Sequence, residues 1–290
     1  MSLVNGRWEG PVLDNHFHLD RGNRFTDAAL DFQRAGGTHL VLVHKPGATP
    51  PVDIAGYRAA YSDTLDMAET VRRDLGLHVR VVLGPHPAVW AHQIADLDVE
   101  KASELHLEAV ELAITHCEEG DAVGVGEVGR PHWEVDEVTW SAANDLFLEV
   151  LSMCSKAGVP VQLHLEGDGE PTYSDVAQMC DAAGMFRNDA IHHHAQADVS
   201  AAFTHGMIPS VLVGKGCVQT IVDTVASNET GFLMETDYMD DPRRPGAVLG
   251  PKTVPKRTQA LATALIEAGE DAEEVLHRTH QDLPESLYAN

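Results

Sequence analysis

Short runs rich in β-branched and aliphatic residues punctuate the chain at Val12–His18, His39–His44, Val79–Gly84, Ala122–Val128, Val159–Leu165, Ala190–His194, Ile208–Val213 and Phe232–Asp237. Most are bounded by Gly or Pro, as strands buried on both faces of a parallel sheet are. The stretches between them follow a helical period. It is clearest in Ala143, Phe147, Val150, Leu151 and Cys154, with Gly158 and Pro160 stopping that helix. Strand–helix alternation through eight units predicts an α/β chain, a single (β/α)₈ barrel domain over residues 1–290 with a C-terminal helical extension. A doubly wound open sheet is the competing arrangement. It usually carries a glycine-rich phosphate loop, and the sequence has neither GxGxxG nor a Walker motif.

In such a barrel the functional side chains project from the C-terminal strand ends. Strand one ends Asp14-Asn15-His16-Phe17-His18-Leu19-Asp20, and a spacing of two puts His16 and His18 on one face, about 7 Å apart along the chain. By itself this is weak, because 17 histidines in 290 residues give about one HxH by chance, and His192 and His194 make another. Strand four sets Glu127 among Gly and Val, where an unpaired buried charge costs several kcal/mol, so a metal or a cation is expected beside it. Strand five ends with His164, strand six with His192-His193-His194, and strand eight with Asp237. Each has an ordinary structural reading alone; six such groups on five strand ends together predict a metal site. Strand alternation puts His193 on the opposite face from His192 and His194, and His193 is taken as the ligand, with His192 and His194 as the alternatives.

The ordered set resembles the TatD-like metal-dependent hydrolases of the amidohydrolase superfamily. Asp14 to Asp20 is similar to their DxHxHLD opening, Gly84-Pro85-His86-Pro87 to their GxHP, and Gly126-Glu127-Val128-Gly129 to their GEIG. His164, His193 and Glu235-Thr236-Asp237 follow in the family's order, nearest to an archaeal subgroup of predicted metal-dependent hydrolases. The resemblance implies one ion on His16, His18, Glu127 and Asp237, and a second on Glu127, His164 and His193. The sequence departs from the family at Arg130-Pro131 and at Tyr238-Met239, positions that bear on the substrate more than on the fold.

Charge adds a second contrast. With 45 Asp and Glu against 20 Lys and Arg the formal charge is −25, and the cations are 14 Arg to 6 Lys, a balance suited to a salty cytoplasm. At about 1 M salt the screening length is near 3 Å, so this charge repels itself little there. Pro242 to Ile266, by contrast, holds no acid in 25 residues, and Arg243, Arg244, Lys252, Lys256 and Arg257 fall within it. Because this segment follows strand eight, it predicts an electropositive mouth selecting a small anionic substrate or a nucleic-acid end, with His86, Arg130, Arg243, Arg244 and Lys252 orienting it. Cys117, Cys154, Cys180 and Cys217 show no CxxC pairing and read as buried thiols. No apolar run reaches the roughly 20 residues of a membrane span and no signal core opens the chain, so the expectation is a cytoplasmic protein without an obligate protein partner.

The expected chemistry is hydrolysis of a phosphodiester or related anionic ester, as by a deoxyribonuclease, with Glu127 and Asp237 catalytic and Asp237 as proton shuttle. Two divalent ions are expected, Zn²⁺ suiting the mixed ligands best, with Mg²⁺, Mn²⁺ or Ni²⁺ as alternatives. Amide or lactone hydrolysis on a small ring is the second reading, and a metal-binding protein without turnover the third.

Overall fold

The computed structural model describes residues 2–241 and 248–289, and in it every expected strand is present within two residues of its expected ends. In chain order these are β1 (Leu13–His18), β2 (His39–Val43), β3 (His78–Leu83), β4 (Gly124–Gly129), β5 (Val161–His164), β6 (Ala190–Ala195), β7 (Ile208–Leu212) and β8 (Leu233–Glu235). All pair in parallel with their sequence neighbours. The ring closes one step beyond β8, where Tyr238–Met239 pairs in parallel with β1, Tyr238 opposite Phe17 and Met239 opposite His18. Asp14 reinforces this seam by accepting the Thr236 N–H at 3.0 Å and the Thr236 hydroxyl at 2.6 Å.

Helices α1 (Thr26–Arg34), α2 (Ile54–Leu75), α3 (Pro87–Leu97), α4 (Val99–Glu118), α5 (Glu137–Ala157), α6 (Glu170–Ala183), α7 (Ala201–Thr204) and α8 (Cys217–Thr224) fill the crossovers. Local signals set their limits. The Asp136 carboxylate caps α5 by accepting the Thr139 N–H at 2.9 Å, and Gly158, in the left-handed conformation, ends it as expected. The four cysteines lie in helices as free, buried thiols.

The apolar contacts form two layers. Outside the strands, Phe17, Val81, Val125 and Leu163 pack against the helices. Inside the ring, Leu13, Val41, Val43, Val82, Ile191, Ile208 and Leu233 form a plug that also takes in Tyr288. Tyr288 arrives from the C-terminal extension, α9 (Thr253–Ala268), α10 (Ala272–His277) and α11 (Leu283–Leu287), which seals the N-terminal ends of the strands. A two-strand hairpin, Leu3–Val4 with Arg7–Trp8, is too short for periodicity to reveal; Gln259 of α9 bonds Trp8 at its N–H and its carbonyl.

Candidate metal centre

Glycine brings the strands under the site unusually close. A Cβ on Gly126 would stand 2.8 Å from Gln162 Cβ, and one on Gly129 only 2.2 Å from the His164 carbonyl oxygen. Side chains at these positions would therefore push β4 away from β5. The close approach sets Glu127 against His164.

Glu127 is 3% exposed and both its oxygens face imidazoles. Oε1 lies 3.4 Å from His16 Nε2 and 3.3 Å from His18 Nε2. Oε2 lies 2.7 Å from His164 Nδ1, 3.0 Å from His193 Nε2 and 3.4 Å from His86 Nε2. Asp237 closes the first group, with Oδ1 3.9 Å from His16 Nε2 and 3.6 Å from His18 Nε2. The structure thus brings together all six expected ligands, and Glu127 stands between two clusters.

The surrounding bonds fix which nitrogen each ring turns inward. His16 Nδ1 donates to Gln162 Oε1 at 2.8 Å and His18 Nδ1 to the Val43 carbonyl at 3.0 Å, so both present bare Nε2 atoms. His193 Nδ1 lies 3.2 Å from Glu235 Oε1, which leaves its Nε2 for Glu127. His164 is reversed: Nε2 lies 2.6 Å from His132 Nδ1, and Nδ1 faces the centre. His86 differs in kind. Its Nδ1 accepts the Ala88 N–H at 2.9 Å, so the proton sits on Nε2 and a donor points at Glu127. That suits contact with an anionic substrate better than ligation. Of the three consecutive histidines, His192 packs on Tyr173 and His194 is exposed, while His193 faces the centre.

Electrostatics match a centre built for cations. Burial alone would raise the Glu127 carboxyl, but the neighbouring His193, His86 and His16 hold it well below its ordinary range. Burial pushes His164 down to about 3 and His16 to about 4, keeping both rings neutral and able to ligate. Asp237 is pushed up to about 7 by burial, against the pull of His193 and His18. Bare imidazole nitrogens and carboxylate oxygens converging in a buried pocket are the donor set of a divalent transition metal, so the residues fit the ion the fold implies.

The centre opens into a cavity of about 1110 Å³. His86, Glu127, His164, His193 and Asp237 line it with Lys45, His92, His132, Trp133 and His194. Of the residues expected at the cationic mouth, His86 lines the cavity, and Arg130 and Lys252 do not. Arg130 is buried, pairs with both oxygens of Glu166, donates to Asn144 Oδ1 at 2.8 Å and Asp175 Oδ2 at 2.7 Å, and covers the Trp140 ring. Its guanidinium ties the Glu166 loop to α5 and α6. Lys252 is half-exposed beside Asp31, 3.0 Å away, and Arg257 donates to the Val213 carbonyl. Arg243 and Arg244 lie outside the described residues. Among the described lining residues Lys45 is the one Lys or Arg, and its ammonium sits 2.5 Å from Asp20 Oδ2.

Several contributors escaped the sequence reading. Glu235 orients His193 and accepts the His194 N–H at 2.7 Å, and a carboxylate on a strand of Leu and Met was its signal. Gln162 orients His16 from two residues before His164, which alternation alone could have suggested. His132 and Tyr288 had no local signal.

A closed parallel barrel with imidazoles and carboxylates converging at its C-terminal strand ends defines a metal-dependent hydrolase of the amidohydrolase type. The family model described as TatD related DNase matches residues 13–288; the chain belongs to that family and is a metal-dependent hydrolase acting on ester bonds. It is 31% identical over 282 residues to the uncharacterized protein MJ1127 of Methanocaldococcus jannaschii, covering 96% of this chain and 95% of that one. Among solved structures it is similar to YJJV, a TatD homologue of Escherichia coli K12, with 19% identity, 96% and 98% of the two chains covered and a TM-score of 0.64. A phosphotriesterase homology protein of Escherichia coli, solved with phosphate in its active site, shares the fold at 11% identity, with 96% and 98% covered and a TM-score of 0.60. Among the described residues no helix is long and apolar enough to cross a membrane.

Proposed function

We propose that the protein hydrolyses a phosphodiester or related anionic ester at a centre of two divalent ions, Zn²⁺ fitting the ligands best. His16, His18, Glu127 and Asp237 would hold one ion, and Glu127, His164 and His193 the other. The observation that carries this reading is the division of the Glu127 oxygens between two histidine pairs, Oε1 towards His16 and His18 and Oε2 towards His164 and His193. When bound, such ions supply Lewis acidity and a water of lowered pKa.

The chain's own groups supply the rest. Asp237, buried and pushed up to about 7, stands beside His16 and His18 as the group that takes a proton near neutral pH. His86 offers its Nε2–H to a substrate oxygen, and Lys45 adds positive charge at the wall. The cavity wall excludes bulk water from the Glu127 side, where the carboxylate is almost wholly covered. An anionic ester accords with the family's description and with the phosphate in the active site of the phosphotriesterase homologue.

The test joins metal analysis to a substrate panel. Protein purified without chelator is expected to carry close to two ions per chain and to cleave bis-aryl phosphate, and cyclic amides are expected to survive. Fewer than one ion per chain, or cleavage of the amides alone, overturns the reading.

A further inference from the structure

Beside the main cavity lies a smaller one of about 180 Å³. His44, Pro51, Tyr57, Gly84, His86 and Val89 are among its walls, and His86 and Val89 line both cavities. Its volume exceeds the roughly 150 Å³ that suffices for a benzene ring.

One wall residue, His44, is polar and has a single ring nitrogen engaged by the protein. His44 is 7% exposed, and its Nδ1 lies 2.9 Å from Thr64 Oγ1. The Thr64 hydroxyl donates its only proton to the Ala60 carbonyl at 3.1 Å, so towards His44 it can only accept. His44 therefore carries its proton on Nδ1 and leaves Nε2 as a bare acceptor. Burial favours this neutral form. Among the described residues no hydrogen bond engages Nε2, which leaves it able to accept one from a ligand.

We infer that this pocket is a binding subsite for a single small ring carrying an N–H donor, such as a pyrimidine base, with His44 Nε2 accepting from that N–H. His86, Tyr57, Pro51 and Val89 supply the walls around the ring. A second fused ring has no space, so purines are excluded. Bound here, a ring lies one imidazole away from Glu127, since His86 walls the pocket and points Nε2 at that carboxylate. The subsite's use in catalysis, presenting an ester attached to the ring, rests on the phosphodiester reading; the binding itself does not.

Calorimetric titration of the metal-loaded chain with uracil, 1,3-dimethyluracil and hypoxanthine tests it. Uracil is expected to bind, with dimethyluracil, which has the same ring but no N–H, and the bicyclic hypoxanthine each at least tenfold weaker. His44→Leu removes the acceptor and Ala60→Leu fills the pocket from α2; each is expected to weaken uracil at least tenfold, with a thermal melt confirming that Ala60→Leu is folded. No uracil binding, equal binding of dimethyluracil, or uracil affinity unchanged in folded Ala60→Leu overturns the subsite. Because no turnover is read, failure of the hydrolytic reading leaves this result standing, and failure here leaves that reading intact.

Discussion

The two ends of the barrel use the same strands for opposite purposes. At the C-terminal ends Glu127 is crowded by five histidines, an arrangement that makes sense only around cations. At the N-terminal ends the interior is Leu, Ile and Val, each worth about 1.5–3 kcal/mol when fully buried, and the few polar groups there are paired among themselves. His280 Nδ1 accepts the Leu13 N–H at 3.1 Å and its Nε2 bonds Thr258, while the Tyr288 hydroxyl donates to Asn15 Oδ1 at 2.8 Å. The functional end keeps donor atoms open to a ligand; the sealed end satisfies them within the chain. Stability thus resides mainly in one end and chemistry in the other.

The sharpest way to break this division is Glu127→Gln. Loss of the shared carboxylate is expected to lower turnover by roughly 10⁴-fold and to release both ions, read by metal content and rate on a phosphodiester. If only one ion leaves, Glu127 does not link the two clusters.

The next effect runs between the ends. Gln162 donates to the Tyr288 oxygen at 2.9 Å and accepts from His16 Nδ1, so a single side chain connects the floor to the candidate metal centre. Tyr288→Phe is expected to lower metal affinity by roughly 10- to 100-fold, as loss of an orienting partner does, and to cost about 1–3 kcal/mol because Asn15 and Gln162 lose a partner. Chelator competition and urea melts read the two separately. Affinity unchanged at reduced stability would show the ends to be independent.

Smaller is an acid effect, read through the floor residue His280. Burial pushes His280 down to about 3, below the 6.5 of the unfolded chain, so between these values the unfolded state binds the extra proton. Its contribution is complete above pH 6.5 and is lost as pH falls towards 3. Between pH 7.5 and 5 the loss is about 2 kcal/mol. His280→Gln, which keeps a donor and an acceptor, is expected to flatten the pH dependence by that amount in urea melts. The smallest effect concerns both ends alike. A charge of −25 spread over the body is expected to raise the melting temperature as KCl increases, and a flat response removes the inference of a salty medium.

Which features were legible follows from the range of the forces involved. The strands could be read because burial on both faces leaves a continuous apolar run, and His16, His18, Glu127, His164 and Asp237 because they stand at the ends of those runs. Charge placement misled where pairing decides the outcome. Arg130 looked like a substrate contact, yet its partner Glu166 lies on another loop, and Lys252 is matched by Asp31, far earlier in the chain. The same holds for Tyr288 and Gln162, whose meeting depends on how the extension folds under the ring and leaves no trace in local periodicity.

The contact between Tyr288 and Gln162 also bears on the order in which the protein is made. His16 is among the first barrel residues to leave the ribosome, but the floor that braces its orienting glutamine is supplied by position 288. A nascent chain with all eight strands exposed still lacks that brace, so the Tyr288–Gln162–His16 chain of contacts is completed only once synthesis has passed the extension.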